Sequence, residues 1–246
     1  MGPCLAGRNP WQPSDRNMLV IAPRPDDETL AAGGLIARQT SRDIPIHVVA
    51  VTDGENAYND GIDITFRRSA EQTSALKRLG VVSSSITRLK LTDSGISDQE
   101  ELLVERLMPF VSQETHLLAP WTGDFHPDHE ACGRAACEVA RRSGAALTFY
   151  FFWTWHRGTP DLLNGLPLKS VALSVEDQLA KAEAMSQYRS QLEHTSGQPI
   201  LKNYYGQRDS LVRYFCPYES PHNQSCVFRS NLPSGCRSLE VRVQRI

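Results

Sequence analysis

Short apolar runs rich in β-branched residues alternate along this chain with longer segments of helical periodicity. The predicted strands are 18–22, 46–52, 86–91, 115–120, 147–155 and 168–175. The predicted helices are 28–39, 65–79, 98–111, 126–143 and 176–194. Strands that alternate with helices of this length form right-handed βαβ units. The pattern therefore predicts an α/β protein with a Rossmann-like, mostly parallel sheet and helices on both faces.

Polar residues follow four of the predicted strands, at the point where each strand ends. They are Asp26 and Asp27 after the first strand, Asp53 after the second, Asp93 after the third, and His126 and His129 after the fourth. The carboxyl ends of parallel strands meet at one edge of the sheet, which is where open α/β proteins bind ligands. We therefore expect a functional site at this edge.

The adjacent carboxylates Asp26 and Asp27 indicate chemistry rather than packing, because they repel each other and neither packs well at a strand end. His126 and His129 lie one turn apart at the start of a predicted helix. A catalytic zinc takes three protein ligands and a water, whose proton a nearby carboxylate can accept. By itself, segment 126–129 is equally compatible with a plain helix start, since proline and aspartate suit a first helical turn.

Two longer segments carry a family resemblance. Residues 22–34, Ala-Pro-Arg-Pro-Asp-Asp-Glu-Thr-Leu-Ala-Ala-Gly-Gly, resemble the (His)-Pro-Asp-Asp-Glu signature of the PIG-L/LmbE-like zinc deacetylases, and residues 126–130, His-Pro-Asp-His-Glu, resemble the second signature. Further segments resemble family motifs in the same order, namely 51–55, 68–71 with 79–81, 91–93 and 181–191. The resemblance covers residues 18 to 195.

The resemblance implies a zinc-dependent amide hydrolase that removes acetyl from a small-molecule N-acetylated amino-sugar conjugate, typically one of N-acetylglucosamine. Asp27 and His129 correspond to zinc ligands, and Asp26 corresponds to the general base. His126 corresponds to the imidazole that stabilises the tetrahedral oxyanion and assists the departing amine.

The same resemblance assigns roles to three more residues. Asp128 is expected to orient an imidazole, as carboxylates around metal sites do. Arg68 and Asp93 are expected to contact sugar hydroxyls. For Arg68 the alternative is a charge on a solvated helix surface, since surface arginines are common.

Arg24 departs from the family pattern, because it stands where the resemblance implies a further zinc ligand, a histidine. A guanidinium has no acceptor lone pair and carries a permanent charge, so it cannot replace that ligand. With Asp27 and His129 alone, zinc should bind poorly. Arg24 is expected to pair with Asp26 or Asp27 instead.

Three interpretations of Arg24 stay open at the level of sequence. In the first, the chain is an active deacetylase whose metal site is completed by another group, such as His126, His47 or Glu28. In the second, it is a natural pseudoenzyme that binds a sugar-like ligand without hydrolysis. In the third, the arginine is an engineered or erroneous change in an ordinary enzyme.

The aromatic run 149–156 (Phe-Tyr-Phe-Phe-Trp-Thr-Trp-His) has two interpretations. It is typical of a buried strand with one aromatic face. Alternatively, it places a ring or His156 beside the acyl pocket or the sugar.

Length and composition limit the other possibilities. The 246 residues suit one α/β domain, predicted at 18–198, with an N-terminal extension at 1–17 and a C-terminal segment at 199–246 that packs partly on the domain. A net charge of −2 without long runs of one sign argues against nucleic acid or an anionic membrane as a partner. No apolar stretch is long enough to span a bilayer and the N-terminus lacks an apolar core, so a cytoplasmic protein is expected.

Two further site types are disfavoured. A nucleotide site is weak because the first turn lacks GxGxxG. The six cysteines form no CxxC pair, which weakens a zinc-finger interpretation, although those at 216, 226 and 236 leave a disulfide or metal role open. The natural substrate and the oligomeric state are not encoded in any motif of the chain.

Overall fold

The predicted parallel sheet is the centre of the molecule. The computed structural model describes residues 11–57, 64–163, 166–192 and 212–218. Its strands are β1 Asn17–Ala22, β2 Ile46–Ala50, β3 Ile86–Arg88, β4 Thr115–Pro120, β5 Ala146–Tyr150, β6 Lys169–Ala172 and β7 Val212–Tyr218. Within the described residues these strands form one sheet in the order β3-β2-β1-β4-β5-β7-β6. The first five pair in parallel, and β7 runs antiparallel to both β5 and β6.

Helices pack on both faces of this sheet, which confirms the predicted α/β class. They are α1 Asp27–Ser41, α2 Thr65–Arg78, α3 Glu100–Leu107, α4 Pro127–Ser143, α5 Thr154–Arg157, α6 Val175–Met185 and α7 Arg189–Leu192. Side chains of β1 alternate between two buried clusters. Leu19 and Ile21 pack with α3 and α4, whereas Met18 and Val20 pack with α1, α2 and α6. Burial on both faces explains why this strand reads as a continuous apolar run.

The predicted strand 147–155 is wrong beyond Tyr150. The chain leaves the sheet there and turns into α5. The backbone N–H groups of residues 152–154 donate to the carboxylate of Asp124 instead of to a neighbouring strand. A side chain that lies 28 to 30 residues away thus overrides the local preference of aromatic residues for a strand.

Two predicted helices are shorter in the structure. The segment predicted at 98–111 contains α3 between two short 3₁₀ turns, Ile96–Gln99 and Met108–Phe110. Pro109 lacks an N–H group and ends the regular helix. The segment predicted at 176–194 is divided into α6 and α7, and its last two residues lie outside the described part of the chain.

The described parts of the two segments that flank the domain contact it. The backbone N–H of Trp11 donates to the carbonyl of Ser170 at 2.7 Å, and β7 lies inside the predicted C-terminal segment. The domain boundaries themselves stay predictions. Cys4, Cys226 and Cys236 lie outside the described residues, while Cys132 and Cys137 are free thiols. Across the described ranges, no helix has the length and apolar character needed to cross a membrane.

Candidate active site

The turn between β1 and α1 places three consecutive carboxylates at the carboxyl edge of the sheet. Asp26 has a φ of 124°, a left-handed conformation that L-residues rarely adopt, and Asp27 and Glu28 begin α1. All three side chains are buried, with at most 6% of a residue exposed. Buried carboxylates need partners. Each of these three has a different one.

Asp26 lies beside the buried guanidinium of Arg68. Arg68 Nη2 is 3.5 Å from Asp26 Oδ2 and donates to the carbonyl of Pro25 at 3.0 Å, while Nη1 donates to the carbonyl of Gly54 at 3.0 Å. Burial raises the pKa of Asp26 to about 8, against the opposing charge of Arg68. Arg68 is 3% exposed, so its interpretation as a solvated surface charge is wrong.

Asp27 lies beside the imidazole of His129. Asp27 Oδ2 is 3.2 Å from His129 Nε2, and both side chains are buried. Burial alone would raise the pKa of Asp27, but the charge of His129 lowers it below its ordinary value. Burial alone would likewise lower the pKa of His129, but Asp27 and Asp124 raise it to about 9.

Glu28 is held beneath the site by a closed hydrogen-bond network. Tyr188 Oη and Thr29 Oγ1 donate to Glu28 Oε1 at 2.9 and 3.1 Å, and Gln72 Nε2 donates to Oε2 at 3.1 Å. Burial raises the pKa of Glu28. Its two oxygens are therefore occupied, which opposes the interpretation that Glu28 completes a metal site.

The other two groups considered for that role differ in position. His47 lies near the start of β2, away from the carboxyl edge, where Nε2 bonds Thr87 Oγ1 at 2.9 Å and the ring stacks on Phe110. His47 therefore does not complete the site. His126 does lie at this edge, with its ring centroid 5.1 Å from that of His129.

His126 is a neutral imidazole with a defined orientation. It caps α4 by accepting a hydrogen bond on Nδ1 from the backbone N–H of Asp128 at 3.2 Å. Burial, assisted by the charge of Arg24, lowers the pKa of His126 to about 4. Because Nδ1 accepts, the ring proton is carried by Nε2.

Arg24 forms a bridge that the sequence did not predict. Its Nε donates to Asp93 Oδ1 at 2.7 Å and its Nη2 to Asp128 Oδ2 at 3.2 Å. The expected pairing of the guanidinium with Asp26 or Asp27 is therefore wrong. Those two carboxylates are already engaged by Arg68 and His129, and only the backbone N–H of Arg24 donates to Asp27, at 3.0 Å.

Asp93 and Asp128 are anchored by this bridge. Besides the guanidinium, Asp128 accepts hydrogen bonds from the backbone N–H groups of Ser94 and Ile96 at 2.9 and 3.2 Å. Asp93 accepts from the backbone N–H of Asn56 at 3.2 Å. The carboxylate of Asp128 therefore holds the loop after β3, and the hydrogen bond from Asp128 to an imidazole comes from its backbone N–H, to His126 Nδ1. The role of Asp128 in orienting an imidazole stays a prediction.

Besides Asp27, a second carboxylate contacts an imidazole, that of Asp124, which the sequence did not indicate. Asp124 Oδ2 lies 2.9 Å from His129 Nδ1. The only sequence signal is an aspartate two residues before the second signature, and nothing local distinguishes it from a loop residue.

The aromatic run contributes to both the core and the site. Phe149 and Phe151 are buried in the core, as the strand interpretation predicts. The ring of Phe152 stacks on His129 with centroids 5.7 Å apart, and that of Trp153 stacks on His126 at 5.9 Å. The side chain of His156 is exposed, and its ring centroid lies 5.7 Å from that of Phe152.

Asp27 and His129 supply two donors of the kind that zinc prefers. His129 Nε2 is buried without a hydrogen-bond partner, and its separation from Asp27 suits two ligands of one divalent cation. Among the described residues, however, no group of three histidine, cysteine, aspartate or glutamate side chains is arranged to hold a metal. The residues therefore do not fit a three-ligand zinc centre.

Comparison with known proteins identifies the class to which this fold and site belong. Residues 19–140 match the family model of PIG-L, described as GlcNAc-PI de-N-acetylase. This matched segment, 122 of the 246 residues, belongs to the family. It is also 28% identical, over 137 residues, to the probable N-acetyl-alpha-D-glucosaminyl L-malate deacetylase 2 of Bacillus subtilis (strain 168), a match that covers 51% of this chain and 61% of the relative. The chain thus spans about three fifths of the length of that relative.

Two solved structures share the fold. The N,N'-diacetylchitobiose deacetylase of Pyrococcus horikoshii, in complex with its inhibitor MPG, superposes with a TM-score of 0.63 at 18% identity and covers 85% of this chain and 88% of its own. The zinc inhibited form of teicoplanin deacetylase Orf2 superposes with a TM-score of 0.62 at 16% identity and covers 82% and 97%. At these identities the likeness shows the shared fold alone.

Proposed function

We propose that this chain is an amide hydrolase that removes acetyl from N-acetylated amino-sugar conjugates. The observation that carries the proposal is the convergence of Asp26, the Asp27–His129 pair and His126 at one edge of the sheet. The deacetylase names of the relatives support the same reaction class.

In this proposal the carboxylate of Asp26 accepts the proton of the attacking water. A base is effective when its pKa lies near the working pH, and burial brings the pKa of Asp26 to about 8. His126 is neutral and presents its Nε2 proton, so it can donate a hydrogen bond to the oxyanion. The proton that Asp26 takes from the water is then the one given to the departing amine as the C–N bond breaks. A divalent cation at Asp27 and His129 would act as a Lewis acid on the amide carbonyl.

A second candidate function is favoured by the position of Arg24. With Asp27 and His129 as the two donors among the described residues, a zinc ion is expected to bind weakly. The guanidinium of Arg24 adds a fixed positive charge beside the site, where it pairs with Asp93 and Asp128. In this alternative the chain binds an N-acetylated sugar without hydrolysing it. Arg68 and Asp93, which we expected to contact sugar hydroxyls, are both engaged by protein partners, so sugar contact would use their remaining atoms.

The two functions are separated by zinc content and acetate release. The wild-type chain, Arg24→His and Arg24→Gln are purified, their zinc is measured, and acetate release from N-acetylglucosamine conjugates is followed with and without added zinc. We expect weak zinc binding and slow, zinc-dependent release by the wild type. Arg24→His, which adds an imidazole donor, should raise zinc affinity and kcat/KM at least tenfold, whereas Arg24→Gln controls for loss of the guanidinium alone.

Each result decides between the candidates. Sugar binding by calorimetry without acetate release at any zinc concentration selects the binding function. If the wild type neither binds the sugar nor releases acetate, both candidates are rejected. If Arg24→His gains neither metal nor activity, the assignment of Asp27 and His129 as ligands is wrong.

A further inference from the structure

The carboxylate of Asp124 has no role in the proposed chemistry. It nevertheless forms more hydrogen bonds than any residue to which the proposed chemistry assigns a role. Asp124 lies between β4 and α4 and has no exposed surface. Its Oδ1 accepts from the backbone N–H groups of Phe152 and Thr154, both at 3.0 Å, and from Thr154 Oγ1 at 2.6 Å. Its Oδ2 accepts from the backbone N–H of Trp153 at 3.1 Å and from His129 Nδ1 at 2.9 Å.

The turn that Asp124 holds carries the two rings that pack on the two imidazoles. Phe152 stacks on His129 with an interplanar angle of 25°, and Trp153 stacks on His126 with an angle of 19°. A ring packed face to face against an imidazole limits its rotation. The position of Asp124 therefore restricts His129 directly, through Nδ1, and restricts His126 through Trp153.

The bond to Nδ1 also decides which nitrogen faces Asp27. A carboxylate accepts hydrogen bonds only, so the nitrogen that contacts Asp124 must carry a proton. Nε2 is then the atom left to face Asp27 Oδ2, at 3.2 Å, and no other described group hydrogen-bonds to it. The ring of His129 is thus held between two carboxylates, that of Asp124 at Nδ1 and that of Asp27 beside Nε2.

We infer that Asp124 is a positioning residue that aligns both imidazoles of the site, His129 by its Nδ1 proton and His126 through the ring of Trp153. The inference rests on the proposed function, because alignment matters only if these imidazoles meet a ligand. It assigns a role to a residue that neither of the two signature motifs contains.

Two substitutions, one of Asp124 itself and one of a residue that donates to it, separate alignment from simple structural support. Asp124→Asn keeps the shape of the side chain and an acceptor for the turn, but it removes the charged acceptor of His129 Nδ1. Thr154→Val is the matched control, since it is isosteric and removes only the 2.6 Å hydroxyl bond to Asp124 without touching an imidazole. Circular dichroism verifies the fold of both full-length variants.

The main measurement is ¹⁵N and ¹H NMR of histidine-labelled protein without added metal. The wild type should show a slowly exchanging, downfield proton on His129 Nδ1, and this signal should be lost in Asp124→Asn and retained in Thr154→Val. Zinc affinity, measured by calorimetry with zinc as the probe, should fall about ten- to a hundredfold in Asp124→Asn only, as is typical when the partner of a ligating histidine is removed.

The inference is overturned if the wild type lacks the Nδ1 signal, a result that does not depend on any variant folding. It is also overturned if Asp124→Asn keeps signal and affinity, or if Thr154→Val loses them equally. Failure of the proposed function has a different signature, namely no acetate release and no sugar binding by a wild type that still shows the His129 signal.

Discussion

Residue by residue, the site is a set of buried carboxylates, and each of the first three has partners of its own. Asp26 has Arg68, Asp27 has His129, and Glu28 has the hydroxyl of Tyr188 and the amide of Gln72. Three adjacent carboxylates can be buried together because separate partners compensate each of them. Burial nevertheless raises the pKa of Asp26 above its ordinary value, whereas the charge of His129 holds the pKa of Asp27 below it, although the two are neighbours in sequence.

Removal of one partner should leave buried polar groups without compensation. Arg68→Met breaks the contact with Asp26 and two bonds to backbone carbonyls, so we expect the free energy of unfolding to fall by about 3 kcal/mol. Arg67→Met is the control, because Arg67 is more than half exposed and pairs with Glu71 one turn along α2. Its effect should stay below about 1 kcal/mol in urea denaturation. Equal losses in both variants would contradict the assignment.

Among the elements, helix α4 must approach the end of β4 closely. This helix carries both His129 and Asp128, one of the two carboxylates that Arg24 contacts. Gly133 makes this approach possible. A Cβ added there would lie 2.6 Å from the carbonyl oxygen of Pro120 and 3.0 Å from the backbone nitrogen of Thr122. Backbone atoms cannot move aside as a flexible side chain can, so the requirement for glycine is steric.

Gly133→Ala should therefore destabilise the protein by about 2 kcal/mol, even though alanine favours a helix by about 1 kcal/mol over glycine. Gly33→Ala in α1 is the matched control, because the atom nearest to its Cβ would be a side-chain atom, Lys181 Cγ, at 3.1 Å. We expect the free energy of unfolding of that control to remain within about 1 kcal/mol of the wild type. Thermal and urea unfolding of both variants would test this, and a stable Gly133→Ala would refute the close approach.

In the molecule as a whole, the mostly parallel sheet separates the residues of the candidate site from residues that stabilise the fold. Its carboxyl edge carries the site, whereas residues nearer the other edge hold the domain together. His116 in β4 belongs to the second group, with Nδ1 bonded to Ser14 Oγ and Nε2 to Thr148 Oγ1, both at 2.8 Å. Burial, with a smaller contribution from the charge of Arg16, lowers its pKa from 6.5 to about 4.

This shift predicts a pH dependence of stability. Between pH 6.5 and 4 the unfolded chain takes up a proton on His116 that the folded chain does not, so stability is lost as the pH falls through that range. The loss reaches about 3 kcal/mol for this group. Urea denaturation at pH 7, 5.5 and 4.5 should show a shallower decline for His116→Gln than for the wild type. His156→Gln, at an exposed position, should decline like the wild type.

From the sequence, the architecture and the residues of the site could be predicted, but the contacts between those residues could not. The alternation of strands and helices was sufficient for the fold class, and the polar residues after the strands do lie at one edge. The aromatic run was misassigned beyond Tyr150 because its hydrogen bonds are made by Asp124, and a loop carboxylate gives no periodic signal.

The chain by itself determined which residues could meet, because strand direction and helix length follow from local patterns of apolar residues. Only the tertiary structure decided which of them pair. Arg24 pairs with Asp93 and Asp128, which lie 69 and 104 residues further along the chain, and not with the aspartates beside it. Charged side chains in a buried site compete for partners, and the guanidinium pairs with carboxylates that no other side chain already contacts. Which carboxylates these are depends on distances that are set by the packing of the whole fold.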